Sequence, residues 1–156
     1  MTTPEENKTI VQRYYEDAFN VGDMDILNEV IAADVINHDP LSDETLTSEE
    51  ARGLEGFRRH VEAARAGFPD ATVTIRDMIA EDDKVLVRFD FTGTHEGRIG
   101  GIEPTHEEVT VSNMAVYRIE DGKLAERWLE SNDLDMLQQL GVTPRMEKAR
   151  PGGVVR

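Results

Sequence analysis

The last predicted strand of the chain passes into the last predicted helix within one short run. The run reads Lys123-Leu124-Ala125-Glu126-Arg127-Trp128-Leu129-Glu130-Ser131-Asn132-Asp133 and continues as Leu134-Asp135-Met136-Leu137-Gln138-Gln139-Leu140-Gly141. Asp133 follows the only tryptophan, Trp128, at the junction of strand and helix. A helix N-terminus favours the charged form, but a carboxylate buried in an aromatic-lined cavity can have its pKa raised toward neutrality. It could then exchange protons with a substrate without a cofactor.

The residues before this run predict antiparallel strands. Glu120-Asp121-Gly122-Lys123 is a signal for a two-residue hairpin, and Glu81-Asp82-Asp83 predicts another turn. Apolar residues alternate along the two strands between these turns, which gives each strand one face toward a core. The inward residues are expected to be Val85, Val87, Phe89, Phe91, Val109, Val111, Ala115, Tyr117 and Ile119.

Three helices are predicted in the first half of the chain. Thr3 and Glu6 form a capping box before an apolar stripe that runs from Ile10 to Phe19. Asp23 caps a shorter second helix, and Gly67 ends a third. Helices followed by a meander of strands predict an α+β fold, with the helices packed in a curved antiparallel sheet. A cavity between the two layers is the expected ligand site.

The chain has 156 residues, and residues 1–145 are predicted to form a single domain. Residues 41–53 are polar and acidic, and we expect a mobile insert there. Residues 146–156 include Pro151-Gly152-Gly153 and are predicted to be a flexible or interface-forming tail.

The formal net charge of −15 argues against nucleic acid and membrane partners, because both carry negative charge. A polar N-terminus and no long apolar run predict a cytoplasmic protein. Cysteine is absent, which excludes disulfides and thiolate chemistry. The acidic residues are spread along the chain and lysine is scarce. This pattern predicts a halophile surface adapted to high salt; the alternative is an ordinary acidic mesophilic protein.

Several short motifs occur in a fixed order along the chain. They are Asn37-His38-Asp39-Pro40, Gly53-Leu54-Glu55-Gly56-Phe57, Phe68-Pro69-Asp70, Gly93-Thr94-His95-Glu96-Gly97, Gly101-Ile102-Glu103-Pro104-Thr105, Glu126-Arg127-Trp128 through Asp133, and Leu137-Gln138-Gln139-Leu140-Gly141. Together they resemble the SnoaL-like polyketide cyclases, which belong to the NTF2-like superfamily. The resemblance implies an NTF2-like cone or barrel and a cofactor-free intramolecular aldol condensation of an aromatic polyketide. It also implies that Asp133 is the acid/base residue and that the protein is a homodimer or higher homo-oligomer.

Asp133 and His95 are the predicted catalytic residues. The alternative for Asp133 is a structural role as the N-cap of the last helix. His95 continues the inward face that contains Phe89, where it could orient or protonate a carbonyl oxygen. The alternative for His95 is a buried histidine bonded to the backbone.

The predicted substrate-binding residues are those expected to line the cavity, namely Asn113, Trp128, Tyr14, Phe57, Phe89 and His38. Asn113 interrupts an apolar row, so it needs a polar partner, either a ligand or a structural group. The resemblance places His38 near the pocket, whereas the residues alone favour a local turn made by Asp39. His60 is expected to be half-exposed. The histidines and carboxylates show no dedicated metal-ligand spacing, so we predict neither a metal nor a cofactor.

The function predicted from these features is acid/base chemistry on a small hydrophobic carbonyl compound. A different class of function is a binding protein whose cavity holds a ligand without chemistry, because fold does not determine function. A third interpretation is another cavity enzyme of the same superfold, such as an isomerase or an epoxide hydrolase.

Overall fold

A computed structural model of the chain describes residues 1–39 and 52–143. The predicted tail, residues 146–156, and most of the predicted insert lie outside the described residues. The helices in these ranges are α1 (Pro4–Arg13), a π-helical segment (Tyr14–Phe19), α2 (Met24–Val30), α3 (Gly53–Gly67) and α4 (Asp133–Leu140). The strands are β1 (Ile31–Asn37), β2 (Thr72–Glu81), β3 (Lys84–Thr94), β4 (Glu108–Glu120) and β5 (Lys123–Glu130).

The strands form one sheet in the order β1-β5-β4-β3-β2. Neighbouring pairs from β2 to β5 are antiparallel, as predicted. β1 pairs in parallel with β5, so the sheet is mixed rather than wholly antiparallel. With helices before and after the strands, the α+β class predicted from the element order is confirmed.

The first helix begins as the sequence predicts, with both hydrogen bonds of the Thr3–Glu6 capping box present. It continues into the π-helical segment, a wider helix that is uncommon in proteins. Two consecutive tyrosines, Tyr14 and Tyr15, are both buried in this segment, together with Phe19. The π-helical geometry therefore presents more of the apolar stripe to the sheet.

The strands bury alternate residues, and the predicted inward faces of β3 and β4 are confirmed. Phe89 of β3 pairs directly with Asn113 of β4, so both side chains project toward the helices. The turn between β4 and β5 has positive φ at Asp121 (51°) and Gly122 (75°), as a type I′ hairpin requires.

A β-bulge near the start of β5 decides which residues of that strand face the helices. Ile119 of β4 pairs with Leu124, whereas Arg118 pairs with Glu126, so Ala125 is an extra residue on β5. A bulge of this kind reverses the alternation that follows it. As a result Arg127 is buried on the inner side, and Trp128 lies on the outer face of the sheet.

None of the helices within the described ranges combines the length and apolar character that a membrane span requires.

Candidate active site

A cavity of about 500 Å³ lies between the helices and the sheet. Much of its wall is aromatic, from Tyr14, Tyr15, Phe19, Phe68, Phe89 and Phe91. Its polar lining consists of Asp39, His60, Asn113, Arg127, Glu130, Ser131 and Asp133. We call the exposed members of this lining, Asp39, Glu130, Ser131 and Asp133, the rim.

Asp133 lies on the rim, at the first residue of α4. The hydroxyl of Ser131 donates a hydrogen bond of 2.5 Å to its Oδ1. The expectation of a carboxylate buried away from water is wrong, because β5 ends at Glu130 and Asp133 is exposed beyond the sheet. The N-cap of α4 is Asn132, and it makes no side-chain capping bond. The side chain of Asp133 is therefore directed to Ser131 and the cavity opening.

Asn113 is buried in the cavity wall, opposite the start of α4. Its Oδ1 accepts a hydrogen bond of 2.9 Å from the backbone N–H of Asn132. The amide oxygen thus fixes the segment that carries Asp133. Among the described residues nothing accepts a hydrogen bond from Nδ2 of Asn113, so its amide hydrogens are available to a ligand.

A chain of buried polar groups connects the sheet to the π-helical segment. Nε of Arg127 donates to the hydroxyl of Tyr117 at 3.3 Å, and that hydroxyl lies 2.6 Å from the hydroxyl of Tyr15. Arginine only donates hydrogen bonds, so the Tyr117 oxygen accepts from Arg127 and its hydrogen can point to Tyr15. The hydrogen of Tyr15 is then free to point into the cavity. Burial raises the pKa of Tyr15, which keeps it a neutral donor.

His60 is buried rather than half-exposed, and it lines the cavity. Its ring packs edge-on against Phe57 at a centroid distance of 5.7 Å. Burial, and then the positive charge of Arg127, lower the pKa of His60 well below its usual value. The imidazole is therefore neutral at neutral pH, and Arg127 is the permanently charged cation of the wall.

His95 does not reach the cavity, although it is fully buried. The loop after β3 folds back, and Nδ1 of His95 accepts a hydrogen bond of 3.2 Å from the backbone N–H of Thr105. The ring also packs on Phe68 at 5.5 Å. The structure thus separates the two predicted catalytic residues and gives His95 the backbone-bonded position that was its alternative.

Phe57 lies behind the wall instead of lining it. Its ring is edge-on to Tyr14, with centroids 5.4 Å apart, and it supports both Tyr14 and His60. Tyr14 and Phe89 do line the cavity, together with Asn113. Three of the six predicted substrate-binding residues are therefore brought together in the wall.

Trp128 and His38 lie on the other side of the sheet, contrary to the expectation for both residues. Their rings stack at 5.1 Å with an interplanar angle of 12°. His38 Nε2 also lies 2.7 Å from a carboxylate oxygen of Glu126, another outward residue of β5. For Trp128 the physical reason is the β-bulge, which turns Arg127 inward and Trp128 outward. His38 follows Asn37, whose Oδ1 accepts a hydrogen bond from the inward Arg127, so the alternation of an extended chain turns His38 outward.

Arg127 and Tyr15 are two of the cavity residues that the sequence did not suggest as site residues. Tyr15 was part of the predicted apolar stripe, but its neighbour Tyr14 was expected to be the ligand contact. An arginine beside a tryptophan in a strand normally faces solvent, because arginine is rarely buried without a partner. Only the register shift in the β4–β5 hairpin could have revealed the inward arginine.

Across residues 1–39 and 52–143, no group of three or more histidine or carboxylate side chains is arranged to hold a metal ion.

Comparison with known proteins gives a family match over most of the chain. The model of the SnoaL-like polyketide cyclase family matches residues 9–140. IdmH from Streptomyces antibioticus is 32% identical, with 87% of this chain and 99% of IdmH covered and a TM-score of 0.71. TsrD from Streptomyces laurentii is 25% identical, with 92% and 100% covered and a TM-score of 0.79.

A SnoaL-like polyketide cyclase from Agrobacterium tumefaciens shows the same fold at 19% identity. Its TM-score is 0.69, with 90% of this chain and 100% of that chain covered. Among curated proteins, none matches the sequence.

Proposed function

Because the chain belongs to the SnoaL-like polyketide cyclase family, we propose that it catalyses cofactor-free acid/base chemistry of the aldol type on a hydrophobic carbonyl compound. The compound binds in the cavity between the helices and the sheet. The observation that carries this proposal is that the same aromatic cavity presents a carboxylate, Asp133, and polar donors on the wall. A proton acceptor and hydrogen-bond donors around one apolar space are what an enolisation needs.

In the proposed reaction the carboxylate of Asp133 removes a proton from a carbon next to the carbonyl group. The hydroxyl of Ser131 holds the carboxylate in place at 2.5 Å. Negative charge moves to the carbonyl oxygen as the proton leaves. The enolate carbon then attacks a second carbonyl group of the same molecule, and the proton returns to the new alkoxide oxygen.

Two groups of the wall are proposed to hold the oxygen that gains charge. The Tyr15 hydroxyl is oriented through Tyr117 by the guanidinium of Arg127, so its hydrogen is free for the cavity. The amide hydrogens of Asn113 face the same space. Donors that are fixed before the reaction stabilise the developing oxyanion without further reorganisation.

The exposure of Asp133 constrains the substrate. Water solvates an exposed carboxylate, so the substrate itself must contribute activation. A carbon flanked by two carbonyl groups, as in a poly-β-ketone, is acidic enough to meet this requirement. We therefore expect β-diketones to react and simple ketones to bind without turnover.

The test follows the enolisation of a naphthyl β-diketone through the ultraviolet absorption of its enol. We expect the protein to raise the rate above that of buffer, and Asp133→Asn to reduce the catalysed rate by about 100-fold or more. Asp135→Asn is the matched control, because Asp135 lies in the same helix turn but does not line the cavity. An Asp133→Asn variant with nearly full activity would remove Asp133 from the mechanism. Binding without any catalysed enolisation would support the ligand-binding alternative.

A further inference from the structure

The guanidinium of Arg127 is a buried cation whose described partners are all neutral. The residue is 5% exposed. Its Nε donates to the Tyr117 hydroxyl, and its Nη1 donates to Oδ1 of Asn37 at 2.9 Å and to the carbonyl oxygen of Asp39 at 3.4 Å. Within residues 1–39 and 52–143 no carboxylate forms an ion pair with it.

The Nη2 group of Arg127 is the part of the guanidinium that can bind a ligand. Arginine carries five N–H groups, one on Nε and two on each terminal nitrogen. The three acceptors around Arg127 use the Nε hydrogen and both Nη1 hydrogens. The two hydrogens of Nη2 have no acceptor in the described part of the chain. Because Arg127 lines the cavity, these are the donors that a bound molecule meets.

A buried charge without a counter-charge is unfavourable, and an anion beside it relieves that cost. His60, the other basic group of the wall, is neutral and adds no second positive charge. One guanidinium therefore matches a singly charged anion better than a dianion such as a phosphate ester. The aromatic wall formed by Tyr14, Phe89 and their neighbours favours a planar ring system attached to that anion.

We propose that the natural ligand of this cavity is an aromatic or polyketide-like monocarboxylate, and that Nη2 of Arg127 binds its carboxylate. This assignment rests on the proposed function in taking the cavity as the substrate site. The acidic residues of the rim, Asp39, Glu130 and Asp133, repel the same carboxylate. A ligand is thus oriented with its anionic end toward Arg127 and its uncharged carbonyl groups toward Asp133.

The experiment compares pairs of ligands that differ only in charge. Benzoate, 2-naphthoate and anthracene-2-carboxylate are titrated into the protein by isothermal calorimetry, each beside its neutral primary amide. Salt at about 0.5 M screens the overall negative charge of the protein. We expect at least one carboxylate to bind roughly tenfold or more tightly than its amide, the range of a charge-assisted hydrogen bond.

Two substitutions locate the preference. Arg127→Met keeps a similar length without the charge and should bring the ratio of the two affinities close to one. Arg127→Lys keeps the charge and should retain part of the preference. Arg76→Met is the matched control, because it changes the net charge by the same amount. Arg76 lies outside the cavity, in an exposed ion pair with Asp90. Thermal unfolding of each variant checks that it folds.

The proposal is overturned if no carboxylate binds the wild-type protein or if carboxylates and amides bind equally well. A preference that persists in folded Arg127→Met also overturns it. If Arg127→Met does not fold, the ratio of carboxylate to amide affinity in the wild-type protein and in Arg127→Lys still tests the proposal. Calorimetry does not depend on turnover, so a carboxylate preference without enolisation of β-diketones would reject only the acid/base function. Enolisation of β-diketones without a preference for carboxylates over amides would reject only the proposal that Arg127 binds a carboxylate.

Discussion

Replacing Tyr117 by phenylalanine removes the hydroxyl that links Arg127 to Tyr15. Tyr117 is fully buried, and its oxygen takes part in both hydrogen bonds of the chain. Without it the Arg127 Nε–H loses its acceptor and the Tyr15 hydroxyl loses its partner. A buried polar group left unsatisfied costs about 1–3 kcal/mol, with charged donors at the upper end. The Tyr15 hydroxyl can turn toward the cavity and so loses little, whereas the Arg127 Nε–H is left buried without an acceptor. We therefore expect Tyr117→Phe to lower the free energy of unfolding by about 3 kcal/mol.

Tyr15→Phe supplies the comparison, because it leaves the bond between Arg127 and Tyr117 intact. Only one hydrogen bond is lost, and we expect a cost of about 1 kcal/mol. Tyr14→Phe is the control for removing a buried ring hydroxyl at the cavity, since no described residue bonds to that hydroxyl; it should change the stability by less than about 0.5 kcal/mol.

Urea unfolding followed by far-ultraviolet circular dichroism gives the three free energies. The double variant of Tyr15 and Tyr117 should be more stable than the sum of the single effects predicts, because each change removes the partner that the other would leave unsatisfied. The interpretation of the chain is wrong if Tyr117→Phe is as stable as Tyr14→Phe. It is also wrong if Tyr15→Phe is the more damaging of the two single changes.

Three further predictions concern packing, pH and salt. Gly97→Ala would place a Cβ 2.0 Å from the backbone oxygen of Ala66, so we expect a loss of about 3 kcal/mol or more in urea unfolding. Gly100→Ala is the control, because no atom lies within 4 Å of the added Cβ and only the positive φ of +53° is unfavourable. It should lower the free energy of unfolding by only about 1 kcal/mol. Similar losses in the two variants would contradict the steric clash as the cause. Burial lowers the pKa of His60, so in acid the unfolded chain binds a proton that the folded protein does not. The free energy of unfolding should therefore fall as the pH drops below about 6.5, by at most about 1.4 kcal/mol per pH unit. His60→Gln should flatten the pH dependence of the free energy of unfolding between about pH 5 and 7, and an unchanged slope would contradict the buried, neutral imidazole. The melting temperature should rise from low to molar salt as the charge of −15 is screened, and a constant or falling value would reject adaptation to high salt.

Local signals in the sequence determined most of the architecture. The capping box at Thr3 and Glu6, the Asp121-Gly122 turn and the alternation along β3 and β4 each depend on neighbours a few residues apart. Such interactions can be inferred from spacing alone, because period and turn chemistry set the conformation. The α+β class and the cavity wall of Tyr14, Phe89 and Asn113 follow from them.

Only the tertiary structure decided that Arg127 and Tyr15 enter the cavity, that Asp133 is exposed at its rim, and that His95 lies outside it. One extra residue at the start of β5 exchanges Arg127 for Trp128 on the inner face, and the pattern of residues within that strand does not show it. The π-helical segment buries Tyr15 beside Tyr14, although an ordinary helix would turn two consecutive side chains apart. The end of β5 at Glu130 leaves Asp133 on the exposed rim, and the loop after β3 holds His95 against Thr105. Which side chains of a strand point to the inner face depends on how the strand pairs with its neighbour. That pairing is a property of the folded sheet and not of the strand's own sequence.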